Sequence, residues 1–350
     1  MTPRWSRTNQ LIAAAASRLG GRAEPLTRTS TDYFVRLVHG ERSAIVSKTR
    51  SPFLTQVAQS LSNNKKVSRE LLGARGLPVP PDLLVDETGD PRGSEITSFL
   101  RRYGEVVVKP NWGNRGAGVT PAIRDAGRLA RACARARDLD LDEEALIEPH
   151  LAGVNLRIAV VGGEAIAAAE IERPRLEGDG RRGAAALVDA LNQDPRRGSW
   201  RSPTLVTLDV IEPEEDLLGH LEVLGHDLEA PLPAGLSIEI TGEESEVIDR
   251  SEEVDPGWLR LAERAAAILG VDVGGVDLRG PLADFLAPPR AGADAWRRGA
   301  LLEVNVLPAL HYHALPTRGA PRPVFEAFVA YCLQLPGAPA IAATIDAGRR

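Results

Sequence analysis

Lysine, cysteine and aromatic residues are all scarce in this sequence. Only four lysines occur among 42 basic residues (Lys48, Lys65, Lys66 and Lys109), and the rest are arginine. An excess of positive charge is missing too: Asp and Glu number 48, and the net charge is −6. That balance removes the electrostatic drive toward nucleic acid or an anionic membrane, so neither is expected as a partner. The two cysteines, Cys133 and Cys332, form no C-x-x-C pair, and each lies in a helical-looking segment. Both are expected as buried free thiols, which fits a reducing compartment. No apolar run approaches the roughly 18 residues of a membrane span. The N-terminal apolar stretch, broken by Ser17 and Arg18, falls short of a secretory core. A soluble, cytoplasmic protein is the expectation. What is present is 350 residues at 43% hydrophobic content, enough for about two domains or one large subdivided fold.

Periodicity and turn residues divide the chain. Residues 7–19 read as a helix closed by Gly20-Gly21, and DYFVRLVHGERSAIVSK as a hairpin turning at Gly40. A helix from Asn63 through Leu72 ends at Gly73 or Gly76. Residues 105–109, EVVVK, form a strand entering the glycine-rich loop NWGNRGAGVT. A helix over 123–137 and a strand at ALIEPHL follow. NLRIAVVGGEAIAAAEIE reads as two strands joined at Gly162-Gly163, and 183–193 as a helix, whereas 194–250 fits no simple pattern. Trp258–Leu269 is a helix capped by Gly270. VGGVDLRG and ALLEVNVLP are strands, 323–334 is a last helix, and the final residues are a tail. The elements keep no strict βαβ rhythm, so the fold class is α+β lobes rather than a doubly wound sheet.

Two stretches carry candidate chemistry. In VVVKPNWGNRGAGVT, Lys109 leaves a strand beside glycines that would let backbone N–H groups approach phosphate oxygens. The loop fits neither the P-loop nor the G-x-G-x-x-G spacing, and a plain turn is the alternative. In LLEVN, Glu303 and Asn305 project to one strand face while Val304 faces the other. With Asp277 of VGGVDL they make a Mg²⁺ site, or else a solvated polar face. An unpaired carboxylate inside such apolar strands is costly, which favours the metal. His311 and His313 alternate as zinc ligands would but lack a third, so structural or substrate-contacting roles are expected. The acidic run 243–246 is expected to be a solvated loop. Arg181-Arg182 and Arg196-Arg197 flank one helix, as a salt-bridged surface or as a grip on an anion.

Taken in order, Asn64-Lys65, VVVKP, NRGAGVT, LIEPHL, GVDL and EVNVLP resemble the ATP-grasp superfamily over about residues 30–334. Within it, the runs GDGRR…NQDPRRG and EVNVLPALHYHALPTRGAPRPV resemble the ATP-grasp module of cyanophycin synthetases and bifunctional glutathione synthetases. The resemblance implies two α+β lobes clamping ATP, with a short N-terminal lead-in (1–62) in place of a full pre-grasp domain. The lobes would span 63–148 and 149–335, followed by a tail at 336–350. It implies that Lys65 and Lys109 hold phosphates and that Gly113, Asn114, Arg115, Gly116, Ala117 and Gly118 close over them. Glu148, Pro149, His150 and Leu151 would read adenine mostly through backbone, and Asn155 would stand at a ribose ligand's position. Asp277, Glu303 and Asn305 would bind Mg²⁺, two ions in all. Arg157 would lie near the phosphates.

The implied activity is ATP-dependent carboxylate–amine ligation through an acyl phosphate, on an amino acid or short peptide. The alternatives are a small-molecule phosphotransferase and a degraded nucleotide-binding regulatory module. A homo-oligomer is compatible with all three. Departures from the family pattern concern the acyl phosphate: Ile171 stands where an arginine is usual, and the loop ITGEESEVID is short. Arg173, Arg175 and Arg250 are the available substitutes, and Arg157 and Arg173 are the expected catalytic pair.

Overall fold

The computed structural model describes residues 5–27, 32–86, 88–90, 93–113, 116–202, 205–213 and 215–339. Asn114 and Arg115 of the expected phosphate loop, and 340–350 of the expected tail, lie outside the described residues.

Leu11, Ile12, Ala15 and Ala16 recur at helical spacing on α1 (Arg7–Arg18) and are all buried. An antiparallel sheet of β1 (Arg22–Pro25), β2 (Phe34–His39) and β3 (Arg42–Ser47) follows. Gly40, at a φ of +57°, makes the hairpin turn. Next come α2 (Gln56–Asn63) and α3 (Lys65–Ala74). Thr55 Oγ1 accepts from the Ala58 N–H at 3.1 Å, and Asn64 Oδ1 accepts from the Val67 N–H at 2.9 Å. Asn64 is therefore the cap between two helices, not a residue inside one starting at Asn63.

β4 (Leu83–Val85), α4 (Ser94–Tyr103), β5 (Val106–Pro110), β6 (Thr120–Ile123), α5 (Ala126–Asp138) and β7 (Ala145–Pro149) build one lobe. Its antiparallel sheet has the order β4-β7-β5-β6. Val106 and Val108 pack with Ile147 against Leu129, Ala132 and Cys133 of α5. The alternate positions Val107 and Lys109 therefore point the other way.

The second lobe contains β8 (Val154–Val161), β9 (Glu164–Glu172), β10 (Arg175–Glu177), α6 (Ala184–Leu191), β11 (Arg197–Gly198), β12 (Leu208–Asp209) and α7 (Glu215–Leu224). β13 (Ser237–Glu239), β14 (Glu246–Asp249), α8 (Pro256–Leu269), β15 (Val273–Gly280), α9 (Leu282–Phe285), β16 (Ala300–Asn305), α10 (His311–Ala314) and α11 (Val324–Cys332) complete it. The main antiparallel sheet runs β14-β9-β8-β15-β16. Leu156, Ile158, Val160, Val276 and Leu278 bury one face against α8. The opposite face is shared. Ala159, Val161 and Val273 lie under α1 and α11, while Asn155, Arg157, Asp277 and Arg279, further along the same strands, line a cleft. One alternating pattern thus makes both a core and a site floor. Leu72 and Leu77, expected with the glycine-loop lobe, instead join this second core. Cys133 and Cys332 are buried free thiols, and burial pushes Cys133 up to about 12. No helix among the described residues is long and apolar enough to cross a membrane.

Candidate active site

A cleft of about 850 Å³ is lined by both sheets and by the N-terminal hairpin. Lys109 enters it from β5 and Lys65 from the first turn of α3. Lys65 Nζ donates to the Gly113 carbonyl at 2.9 Å, which ties that helix to the glycine loop. Gly118 is required there: at a φ of +69°, an added Cβ would lie 2.7 Å from the Pro110 ring. Lys109 Nζ sits 2.8 Å from Glu148 Oε1, and Arg69 pairs with the other oxygen of that carboxylate. Burial pulls Lys109 down to about 8, with Arg69 adding to the effect and Glu148 opposing it. Burial alone would raise Glu148, but Arg69 and Lys109 outweigh it and hold the acid at about 2.

The Glu148 side chain is thus held by Arg69 and Lys109 at the wall of the cleft. The backbone of residues 148–151 is also partly engaged. The His150 N–H donates to Glu105 O at 2.9 Å, and Arg279 Nε donates to Leu151 O at 2.6 Å. Pro149 has no N–H. Arg279 also donates to Asn155 Oδ1 at 2.6 Å, so Asn155 is braced from the neighbouring strand. Neither Arg69 nor Arg279 was singled out in the sequence. With 38 arginines, identity alone separates none of them.

On the floor, β15 pairs Asp277 with Arg157 on one side and with Glu303 on the other. Arg157 Nε and Nη2 donate to the two Asp277 oxygens at 2.6 and 2.7 Å. Asn305 Nδ2 donates to Asp277 at 2.7 Å and to Glu303 at 3.0 Å. The ladder slips by one residue after Asp277, which sets Glu303 opposite Asp277 and Leu301 opposite Leu278 in the core. Burial by itself would raise Glu303, yet Lys65 and Lys109 hold it below the ordinary carboxylate range. The floor and the lysines thus form one electrostatic unit.

Among the described residues no group of three or more His, Cys, Asp and Glu side chains could hold a metal ion. The donors here are two carboxylates and one amide, hard oxygen chemistry that fits Mg²⁺ when phosphate and water complete the shell. Three of Asp277's roughly four acceptor positions are already taken, so Glu303 is the more open ligand.

At the far end, Arg173 Nη1 donates to Glu244 Oε1 at 2.9 Å and to Glu243 O at 3.0 Å. The buried Tyr312 hydroxyl donates to the same Glu244 carboxylate, and the Tyr312 ring lies 5.4 Å from the Arg157 guanidinium carbon. The acidic run is therefore no solvated loop. Glu244 is buried, and Glu243 lines the cleft and is raised to about 8 by burial, with Glu244 and Asp209 adding to it. The sequence hid this because the arginines that hold this run are far off along the chain: Arg173 on the Glu244 carboxylate and Arg197 on the Glu244 backbone carbonyl. Of the three substitute arginines, Arg173 lines the cleft; Arg250 pairs with Glu170 and Glu253, and Arg175 with Glu239. His311 Nε2 lies 2.9 Å from Arg7 Nη2, whereas His313 is buried and pulled by burial down to about 3. Arg182 pairs with Asp179, and Arg196 with Asp194 and Glu246, all as surface ion pairs.

Two α+β units bordering one cleft, lysines above and paired acids below, make this the ATP-grasp fold that the sequence motifs resemble. The crystal structure of a bifunctional glutathione synthetase from Pasteurella multocida shares it at a TM-score of 0.57 and 23% identity. The match covers 94% of this chain and 44% of that one. Cyanophycin synthetase of Trichormus variabilis is 27% identical over 308 residues, 87% of this chain and 32% of that protein. The glutathione biosynthesis bifunctional protein of Mannheimia succiniciproducens is 27% identical over 301 residues, 83% and 38% respectively. The chain thus spans about a third of the length of the curated relatives it matches. No family model matches the sequence.

Proposed function

We propose that the chain is an ATP-dependent carboxylate–amine ligase that makes an amide bond on an amino acid or short peptide. The observation that carries this reading is the convergence of Lys65 and Lys109 on Glu303, with Asp277 and Asn305 beside it, in a cleft large enough for nucleotide and substrate. The likeness to a cyanophycin synthetase and to a glutathione biosynthesis protein supports it.

When bound, ATP supplies the phosphoryl group and Mg²⁺ the positive charge on its oxygens. Lys65 and Lys109 would hold the phosphate chain from above, and Glu303, Asp277 and Asn305 would hold the cation from below. Gly113 and the 116–118 turn would cover the phosphates, and the 148–151 strand with Asn155 would flank the nucleoside. A substrate carboxylate oxygen then attacks the γ-phosphorus and ADP leaves. The amine nitrogen attacks the acyl carbon, and phosphate leaves with the former carboxylate oxygen. Arg157 fixes Asp277, and Arg173 faces the charge that develops on the acyl phosphate. Excluding water protects that anhydride.

The test is ADP release measured over pairs of acids and amines, with mass spectrometry of the products. Release that requires both partners and yields a condensed product supports ligation. A phosphorylated product formed from one partner alone would indicate a phosphotransferase. Nucleotide binding without turnover for any pair would leave a binding module.

A further inference from the structure

We propose that Arg50, on the turn leaving the N-terminal hairpin, recognises a carboxylate group of the substrate; this rests on the ligase reading above. The turn is held from both sides. Ser47 and Arg50 exchange backbone hydrogen bonds at 3.0 and 3.2 Å, and the Lys48 N–H donates to Tyr33 O at 3.1 Å. Thr49 is buried, and its hydroxyl donates to Pro308 O at 2.8 Å. Ser51 is buried as well, bonds to the Asp272 carboxylate, and accepts from the N–H groups of Phe53 and Leu54 at 3.1 and 3.2 Å. Arg50 stands between these two anchors and lines the cleft together with Pro308, three residues beyond the floor residue Asn305.

Among the buried and half-buried arginines of the cleft, Arg50 is set apart by its lack of a partner. Arg7 pairs with Asp209, Arg157 with Asp277 and Arg173 with Glu244, and Arg279 holds Leu151 O and Asn155. The Arg50 side chain forms no ion pair or hydrogen bond among the described residues, and its buried Nε has no acceptor. Burial lowers its basicity, and no acid pulls it back. A half-buried guanidinium on a fixed turn, without a counter-ion, is relieved by a bound anion, and its fork of donors matches a carboxylate. The phosphate groups have their own cations in Lys65 and Lys109, which act chiefly with Arg69, Glu148 and Glu303. The N-terminal unit thereby reads the substrate, while the nucleotide is held by the two lobes.

The test uses the common L-amino acids and their glycyl dipeptides as probes, each beside its C-terminal carboxamide, in titration calorimetry and thermal-shift assays. The tightest-binding acid should lose about ten- to hundredfold in affinity as its carboxamide, and the same in Arg50→Ala, without the two losses adding. Arg50→Gln should behave as Arg50→Ala, Arg50→Lys should recover part of the affinity, and all three should keep the wild-type melting temperature and ADP affinity. Undiminished preference for acid over carboxamide in Arg50→Ala would overturn the proposal. So would a wild-type protein that prefers no acid, or weakened ADP binding in the variants. Discrimination through Arg50 with no ADP release from any pair would contradict the ligase reading alone. ADP release needing both substrates, with KM unchanged in Arg50→Ala, would contradict the Arg50 assignment alone.

Discussion

Asp277 is clasped by Arg157 across two neighbouring strands, with both carboxylate oxygens receiving a guanidinium N–H at 2.6 and 2.7 Å. Asn305 joins the same carboxylate to Glu303. The floor of the cleft is therefore preorganised by strand register, and the acids need no rearrangement to converge.

Removing Lys109 should weaken nucleotide binding and also leave the buried Glu148 to Arg69 alone. Lys109→Ala is expected to weaken Mg²⁺-ATP by about ten- to hundredfold, equivalent to losing about 1.5–3 kcal/mol from a charged hydrogen bond. Calorimetry on the folded variant measures this directly, and unchanged affinity would remove Lys109 from the phosphate site.

Glu303→Gln or Asn305→Ala should abolish turnover with melting behaviour close to wild type. Both side chains face the cleft, and their loss opens no core cavity. Wild-type rates at saturating Mg²⁺ would make the pair structural.

Arg69 is a stability residue on this account. Its side chain and that of Glu148 are only 1% and 5% exposed. Arg69→Met should cost about 3–5 kcal/mol by leaving a buried carboxylate half-compensated. Denaturant unfolding provides the number, and a loss below 1 kcal/mol would show that Lys109 alone satisfies Glu148.

Stability should depend on pH through Glu243. Its folded carboxyl is raised to about 8, so the protonated acid favours the fold. That contribution is complete below the ordinary carboxylate range and is lost as pH rises through about 8. Glu243→Gln should melt with wild type near pH 5 and above it near pH 9. Parallel curves at both values would show that Glu243 is ionised throughout.

Much of this fold was readable where the periodicity was strong. The alternation in VGGVDLRG and in ALLEVN already put Asp277, Glu303 and Asn305 on one face, and the ladder brings the strands together. The motif order placed Lys65 and Lys109 near one another although 44 positions separate their numbers. What stayed hidden depends on long-range partners. The acids 243 and 244 looked solvent-facing because nothing local pairs with them, and Arg69, Arg279 and Arg50 were lost in an arginine-rich background. Sequence pattern alone reads Asn64 as helical, because its capping role shows only once α2 precedes it.

A substrate carboxylate that becomes an acyl phosphate in this cleft must give up an oxygen to phosphate, and isotope transfer tests this most directly. With the acid from the substrate screen labelled by ¹⁸O in its carboxylate, one labelled oxygen should appear in the released inorganic phosphate for each amide formed. Mass spectrometry of the phosphate reads the transfer. Phosphate free of label, alongside normal amide formation, would contradict the account.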